Sequence, residues 1–217
     1  MDLFDRSFEM VSELIIELND SVYMDGGLRL DLVYSCCDLS IEHSQSVRIL
    51  LENELYTSAL ALMRVQAESV ARAYWMLLVA RNDQILKFQF NEIKDLFSNE
   101  NMPMFAELIT SLKNIEQIPH IVEMLEDFKL FYMKQLNSII HSGKHSLLSK
   151  VLGLTIQQVE NLVKLTNAFT IMAAQILLRH SAKENFILYI NNKYSDCFVM
   201  YGQISESERE SYMKLYK

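Results

Sequence analysis

Residues 56–80 read YTSALALMRVQAESVARAYWMLLVA, and this stretch decides the fold. It is apolar on nearly every side, yet Arg64, Glu68 and Arg72 follow one another at four-residue steps that place them on one edge of a helix. A helix that is apolar around most of its circumference is buried by its neighbours. The stretch therefore predicts a long central helix, and its charged edge needs partners because burying an unpaired charge is costly.

The composition favours a wholly helical chain. Five glycines and two prolines in 217 residues leave few turns, whereas the helix formers Leu, Met, Glu, Lys and Ala are abundant. The sequence has no repeat, low-complexity tract or linker. We predict an all-α fold in which residues 1–217 form a single bundle domain of roughly seven to nine helices. We also expect a helical insertion at about 82–119 and a charged C-terminal helix at about 203–217.

The first half of the chain divides into helices at weak breaks. Residues 3–24 carry apolar side chains at three- and four-residue spacings, and a Gly-Gly pair then ends this helix. A second helical run covers residues 28–51, and its polar patch at 43–46 is either one solvated turn or a short break. Shorter amphipathic helices are predicted over residues 85–97 and 103–112.

The second half contains the clearest helix signals outside the central stretch. Residues 121–141 predict one amphipathic helix, which we expect Gly143 to terminate in a left-handed cap. The apolar face of this helix carries Ile121, Leu125, Phe128, Tyr132, Leu136 and Ile139. Thr155 is followed three residues later by Gln158, a capping-box pattern that opens a long helix to about His180.

Charge and cysteine content limit the compartment and the partners. The net charge of -8 argues against broad, sequence-independent binding to DNA, but it leaves room for a small basic pocket. Cys36, Cys37 and Cys197 are an odd set without zinc spacing, which suits a reducing cytosol. The first residues are acidic where a signal peptide is basic, and no uncharged run reaches the roughly 18 to 20 residues that span a bilayer. We therefore expect a cytoplasmic protein that does not enter a membrane.

The chain lacks the sequence motifs of common cofactor and metal enzymes. It contains no GxGxxG, no phosphate-binding loop, no GxSxG and no HExxH. His141 and His145 are four residues apart, a spacing that can bind a metal on a helix. However, Gly143 lies between them, and no third ligand is near in sequence. We predict no cofactor and no metal.

The charged edge of the central helix has two interpretations. In the structural one, Glu68 forms an ion pair that bridges the two arginines and fixes the packing of the bundle at little net gain in stability. In the functional one, Arg64 and Arg72 line a cleft and bind an anion or a phosphate group. We favour the structural interpretation.

A second signal is LNSIIHSGKH, residues 136–145. His141 ends a polar helical stripe, and Asn137 lies one turn earlier. Lys134 and Lys144 flank the pair and could hold a phosphate group beside it. This arrangement suits a general acid or base, so we take His141, Asn137 and Lys134 as candidate catalytic residues and Lys144 as a candidate phosphate-binding residue. A solvated polar face explains the same residues without any chemistry.

The all-α pattern and this motif resemble the HEPN superfamily (higher eukaryotes and prokaryotes nucleotide-binding), whose helical bundles occur in bacterial toxin–antitoxin and antiviral defence systems. The usual motif is an Arg, a polar residue, three further residues and a His. Asn137 to His141 match it from its second position, whereas Leu136 occupies the Arg position. The central helix with Arg64, Glu68, Arg72 and Trp75 also resembles bacterial helical families of the same kind.

The resemblance implies metal-independent RNA cleavage by a homodimer. The histidine would assist attack by the 2'-hydroxyl, and an arginine would stabilise the charge that develops on the phosphate. Since Leu136 cannot do so, the cation would come from Lys134, Lys144, Arg64 or Arg72. Two functions follow: an RNA-directed effector or toxin, or a non-catalytic helical module that binds another protein. The aromatic and Met side chains of residues 186–201 also favour a homodimer.

Overall fold

The computed structural model describes residues 2–21, 25–89, 102–179 and 183–199. These residues form ten α-helices and one short 3-10 helix and contain no strand, so the all-α prediction is confirmed. The bounds are α1 Leu3–Asn19, α2 Gly27–Glu52, α3 Tyr56–Leu78, α4 Asn82–Leu86, α5 Phe105–Leu112, α6 Pro119–Phe131, α7 Met133–Ile140, α8 Lys144–Leu152, α9 Ile156–Leu178 and α10 Glu184–Lys193, with the 3-10 helix at Ser195–Cys197. The predicted C-terminal helix at 203–217 lies outside the described residues.

The helix α3 is the predicted long, buried central helix. It packs against α2, α5, α7, α8 and α9. The helix α9 is equally buried and crosses the bundle beside it. Where the two meet, the Gln66 side-chain amide donates to the Thr166 carbonyl oxygen at 2.9 Å, and the Thr166 hydroxyl donates to Gln66 Oε1 at 2.5 Å. The bundle therefore has two central helices, α3 and α9, and only α3 was predicted to be central.

By length and composition, α9 resembles a membrane-spanning helix. It is the one helix of the described residues that is long and apolar enough to cross a bilayer. Most of its apolar stretch is buried inside the protein, and Phe169, Ala173 and Ala174 are completely inaccessible to solvent. This is the environment of a core helix, since lipid-facing side chains would lie on the outside of the bundle.

A tight turn joins α2 to α3. Only residues 53–55 separate the two helices, and Glu54 takes the left-handed conformation with φ of 58°. The polar patch at 43–46 does not interrupt α2, which continues through it. Ser44 is fully buried, and its hydroxyl accepts a hydrogen bond from Arg48, so part of this patch faces the core instead of solvent.

The predicted single helix over 121–141 is wrong, because it breaks at Tyr132 into α6 and α7. Tyr132 has φ of -118° and ψ of -35°, and its ring stacks on that of Phe128 at 5.6 Å. Phe128 also makes edge contacts with Phe105 and Phe169. Aromatic residues favour helices less than Leu or Lys do, and here their rings are fixed by packing.

The predicted left-handed cap at Gly143 is also wrong. Ser142 takes the left-handed conformation with φ of 52°, whereas Gly143 is extended with φ of -78° and precedes α8. The glycine is required here for space. A Cβ atom at this position would lie 2.6 Å from Ser138 Oγ and 3.0 Å from the Ser138 carbonyl oxygen.

Charged side chains fasten the C-terminal part of the described chain to α1. Arg6 donates two hydrogen bonds to the Asp196 carboxylate, at 2.9 and 3.2 Å, and a third to the Lys193 carbonyl oxygen at 2.9 Å. Glu13 accepts hydrogen bonds from the Lys193 ammonium group and, at 2.8 Å, from the Tyr194 hydroxyl. Two carboxylates therefore anchor the end of α10 and the 3-10 helix.

These two carboxylates make the stability of the fold sensitive to acid. The hydrogen bond from Lys193 holds the pKa of Glu13 below its ordinary value, and that from Arg6 does the same for the pKa of Asp196. A carboxylate with a depressed folded-state pKa stabilises the fold above its unfolded pKa, and this contribution is lost as pH falls through the folded pKa. We expect the free energy of unfolding to fall as pH drops from about 5 to about 3.

Urea unfolding at several pH values tests this expectation. The variant Glu13→Gln should lose stability at neutral pH and depend less steeply on pH below about 5, because one titrating anchor is absent. The matched control is Glu116→Gln, since Glu116 is exposed and forms no ion pair with the described residues. An unchanged acid dependence in Glu13→Gln would contradict the assignment.

Candidate functional site

The three candidate catalytic residues lie on α7 and at its end. Lys134 and Asn137 are exposed on the solvent side of α7, and His141 is exposed immediately after it. The His141 backbone N–H donates to the Asn137 carbonyl oxygen at 3.2 Å, so the two residues are one helical turn apart. Lys144 is exposed at the first position of α8. These four residues thus belong to one segment, in which a short turn joins α7 to α8.

Leu136, at the position where the HEPN motif has an arginine, faces the opposite way. Its side chain is 1% exposed and belongs to the hydrophobic core. A guanidinium group at this position would be buried among apolar side chains, at a large desolvation cost. The cation that the motif requires therefore cannot come from position 136. Lys134 and Lys144 are the lysines nearest to His141 in sequence.

The helix α8 has an apolar surface that the rest of the described chain does not cover. None of its residues is buried. Leu147 is 66%, Val151 81% and Leu152 77% exposed, and Ile156 at the start of α9 is 81% exposed. Leu148 and Ile140 add two partly exposed side chains. We refer to these six residues as the α8 surface.

A cavity of about 330 Å³ lies beside the α8 surface. Its apolar walls come from α3, α7 and α9 and include Leu60, Leu136, Ile139 and Leu162. His145 and Asn161 contribute polar groups to the wall. Because α8 forms one side of this cavity, a chain that docks on α8 could place a side chain in it.

The chain segment that includes α7 and α8 carries charges of one sign, whereas Glu160 follows it on α9. Residues 128–159 contain four lysines and two histidines but no aspartate or glutamate, within a chain whose net charge is -8. Lys144 and Lys150 are exposed on α8 itself. The segment is therefore a basic region of an acidic protein, and it attracts anionic groups.

The charged edge of α3 forms one ion pair instead of the bridge considered above. Arg64 Nε donates to Glu68 Oε1 at 2.8 Å, and both side chains are partly buried. Glu68 forms no such pair with Arg72, whose buried Nη1 atom has no acceptor among the described residues. Neither arginine lines the cavity beside α8.

Cys36 on α2 lies close enough to Arg72 to feel its charge. Burial raises the pKa of the Cys36 thiol, and the positive charge of Arg72 opposes this effect. Burial also raises the pKa of Cys37. Both thiols are therefore poor nucleophiles. Within the described ranges, no three His, Cys, Asp or Glu side chains are grouped so that they could hold a metal ion.

Arg48 is a buried cation that the sequence reasoning missed. It is 8% exposed, and its Nη1 and Nη2 atoms donate to Asn167 Oδ1 and Ser44 Oγ, each at 3.1 Å. Desolvation lowers the pKa of Arg48 to about 10. Asn167 in turn donates to Ser7 Oγ at 2.8 Å and to the Cys197 carbonyl oxygen at 3.0 Å. This network joins α1, α2, α9 and the 3-10 helix.

A signal for Arg48 was present in the sequence. Cys37, Ile41, Ser44, Arg48 and Leu51 recur at three- and four-residue steps, so they lie on one face of a helix. Three of them are apolar, which indicates a face directed at the core. An arginine on such a face is expected to pair with polar groups of the protein or to bind a ligand.

Comparison with known proteins gives a family but no activity. A family model described as a family of unknown function (DUF6988) matches residues 37–200, well over half of the chain. No curated protein and no solved structure matches the sequence. The resemblance to the HEPN superfamily therefore stays a prediction.

The Arg64–Glu68 pair can be measured by a double-mutant cycle. We expect Arg64→Ala, Glu68→Ala and the double variant to give a coupling energy of about 0.5 to 1 kcal/mol, because the pair is only partly withdrawn from solvent. Urea unfolding provides the free energies. A coupling near zero would show that the two side chains do not stabilise one another in solution.

Proposed function

We propose that this chain, which belongs to the DUF6988 family, is a non-catalytic helical module that binds an acidic, amphipathic segment of a partner protein on the α8 surface. The observation that carries this proposal is that α8 buries none of its residues while it exposes Leu147, Val151 and Leu152. Contiguous exposed apolar side chains of this kind mark interaction surfaces. Each of these side chains contributes roughly 1.5 to 3 kcal/mol to the free energy of binding when a partner buries it.

The basic charge of the segment that contains α8 supports an acidic partner. Lys144 and Lys150 lie on α8, and no acidic residue occurs between residues 128 and 159. A symmetric dimer through this surface would bring the lysines of both copies together, which is unfavourable. The homodimer predicted from the sequence therefore becomes the competing outcome of the test below.

The shape of the region supports a protein segment over RNA. The cavity beside α8 has apolar walls, and a partner can fill it with one large side chain. RNA phosphates would interact with the lysines but would leave the leucines and valine exposed. Apolar and acidic residues on one amphipathic helix match both features of the surface.

A designed peptide probe tests this function. We expect a fluorescein-labelled helical peptide of Leu and Glu to bind the protein, and the same peptide with Lys in place of Glu to bind at least about tenfold more weakly. Val151→Asp should weaken binding of the acidic peptide by about tenfold or more, because it removes apolar contact and adds repulsion. Fluorescence anisotropy at two salt concentrations measures these affinities.

Leu86→Asp is the matched control for Val151→Asp, since Leu86 is exposed on α4, which packs on α2, whereas α8 packs on α3 and α7. It should bind the acidic peptide as the parent does. Equal binding of the two peptides, or equal binding by Val151→Asp and the parent, would contradict the proposal. A dimer in sedimentation equilibrium that Val151→Asp dissociates would assign the surface to a second copy of the chain.

RNA cleavage in a toxin–antitoxin or antiviral defence system is the second candidate function. The observation that favours it is the exposure of His141 and Asn137, one turn apart, within the basic segment. In this proposal His141 acts as the general acid or base, and Asn137 orients the substrate. Lys134 or Lys144 stabilises the charge on the phosphate in place of the missing arginine.

Cleavage is tested by incubating the protein with labelled cellular RNA in EDTA. We expect the parent to cut the RNA and His141→Ala to lose this activity, with a drop of about 100-fold or more for loss of an acid-base group. His120→Ala, at an exposed histidine of α6, is the matched control and should remain active. Equal cleavage by His141→Ala and the parent, or no cleavage by either, counts against this function.

A further inference from the structure

A second cavity lies on another side of the bundle, between α1 and the C-terminal half of α2. Its volume is about 730 Å³. The helix α1 packs mainly on α9 and on the 3-10 helix, which leaves this space beside α2. The apolar part of its wall consists of Phe4, Phe8, Val11, Ile15 and Ile49. An apolar molecule of moderate size fits such a space.

Arg48 forms part of the wall of this cavity. Its two hydrogen bonds to Asn167 and Ser44 use two of the five N–H donors of a guanidinium group. Both acceptors are neutral, and no carboxylate of the described residues forms an ion pair with Arg48. The buried positive charge therefore has no carboxylate of the described residues within ion-pair distance, although Asp5, Glu9 and Glu52 line the same cavity.

Burying such a charge lowers the stability of the fold, and a purely structural role does not require it. Burying a guanidinium group without a carboxylate partner costs free energy that an uncharged donor would not require. A glutamine could donate a hydrogen bond to one of the same neutral acceptors without a charge. The cost is offset when an anion enters the cavity and pairs with the free N–H donors.

The remaining charges of the cavity restrict the anion. Asp5, Glu9 and Glu52 also line it, and none of them forms an ion pair with Arg48. These carboxylates repel a ligand that carries several negative charges, such as a phosphate or a dicarboxylate. A single carboxylate at the end of an apolar body is repelled least and still matches the planar fork of the guanidinium group.

We propose that the cavity between α1 and α2 binds an amphipathic monocarboxylate. Its carboxylate pairs with Arg48, and its apolar chain lies against Phe4, Phe8, Ile15 and Ile49. This site is separate from the α8 surface and does not depend on either function proposed above. Because α1 and α2 form opposite sides of the cavity, the bound ligand holds the two helices together and stabilises the folded state.

Decanoate is a suitable probe, with 1-decanol as its uncharged analogue and decyltrimethylammonium as its cationic analogue. We expect decanoate to bind in a 1:1 ratio by calorimetry and to raise the unfolding temperature of the full chain. The two analogues should bind at least about tenfold more weakly, because neither pairs with a guanidinium group. Equal affinity for the three compounds, or no binding of decanoate at millimolar concentration, would overturn the proposal.

Two variants assign binding to this cavity. Arg48→Met removes the charge at similar volume, and it should abolish the preference for decanoate over decanol. Since that variant also alters a buried network, Ile49→Glu tests the same site from an exposed position in the cavity wall. We expect about tenfold weaker decanoate binding in Ile49→Glu, because it adds a like charge beside the ligand.

Ile16→Glu is the matched control, since Ile16 is similarly exposed on α1 but does not line the cavity. It should bind decanoate as tightly as the parent. Val151→Asp should also retain this binding, which separates a failure of this site from a failure of the α8 surface. Equal losses in Ile49→Glu and Ile16→Glu would assign the effect to net charge and overturn the site.

Discussion

The hydrogen bonds between Gln66 and Thr166 join the two central helices in the middle of the bundle. Around this pair, α3 and α9 are covered by apolar side chains, so a lost partner would leave a buried polar group unsatisfied. The remaining helices are placed by these two. The helix α2 folds back along α3 after a three-residue turn, α1 rests on α9, and α7 and α8 pack against α3.

Periodicity predicted the parts of the fold that depend on local sequence. The central helix is where its apolar pattern places it, and the Thr155–Gln158 capping box opens α9 as predicted. The break at Tyr132 could not be predicted in this way, because the apolar spacing of residues 121–139 continues through it. The ring of Tyr132 stacks on Phe128, and only the tertiary structure shows that Phe128 also packs on the distant Phe169. Likewise, Gly143 was assigned a positive φ, whereas its role is the close approach to Ser138.

In the candidate sites, too, local sequence predicted some features, whereas others depend on the tertiary structure. The spacing of Asn137 and His141 was sufficient to place them one turn apart on a solvent face. The exposure of α8 could not be inferred, because Leu147 and Val151 look like core residues until the neighbours of the helix are known. Arg48 lies on a face that a helical pattern identifies, but only the tertiary structure shows that its partners are neutral.

The contacts of Arg6 with Lys193 and Asp196 span almost the whole described chain. During synthesis on the ribosome, α1 emerges before these partners, which follow α2 to α9 of the described chain. Until then, the apolar face of α1, which carries the fully buried Met10 and Leu14, has no complete docking site and is accessible to chaperones. The contacts of α1 are therefore completed only after residues 193–196 have been synthesised, and a nascent chain that is truncated before residue 193 lacks them.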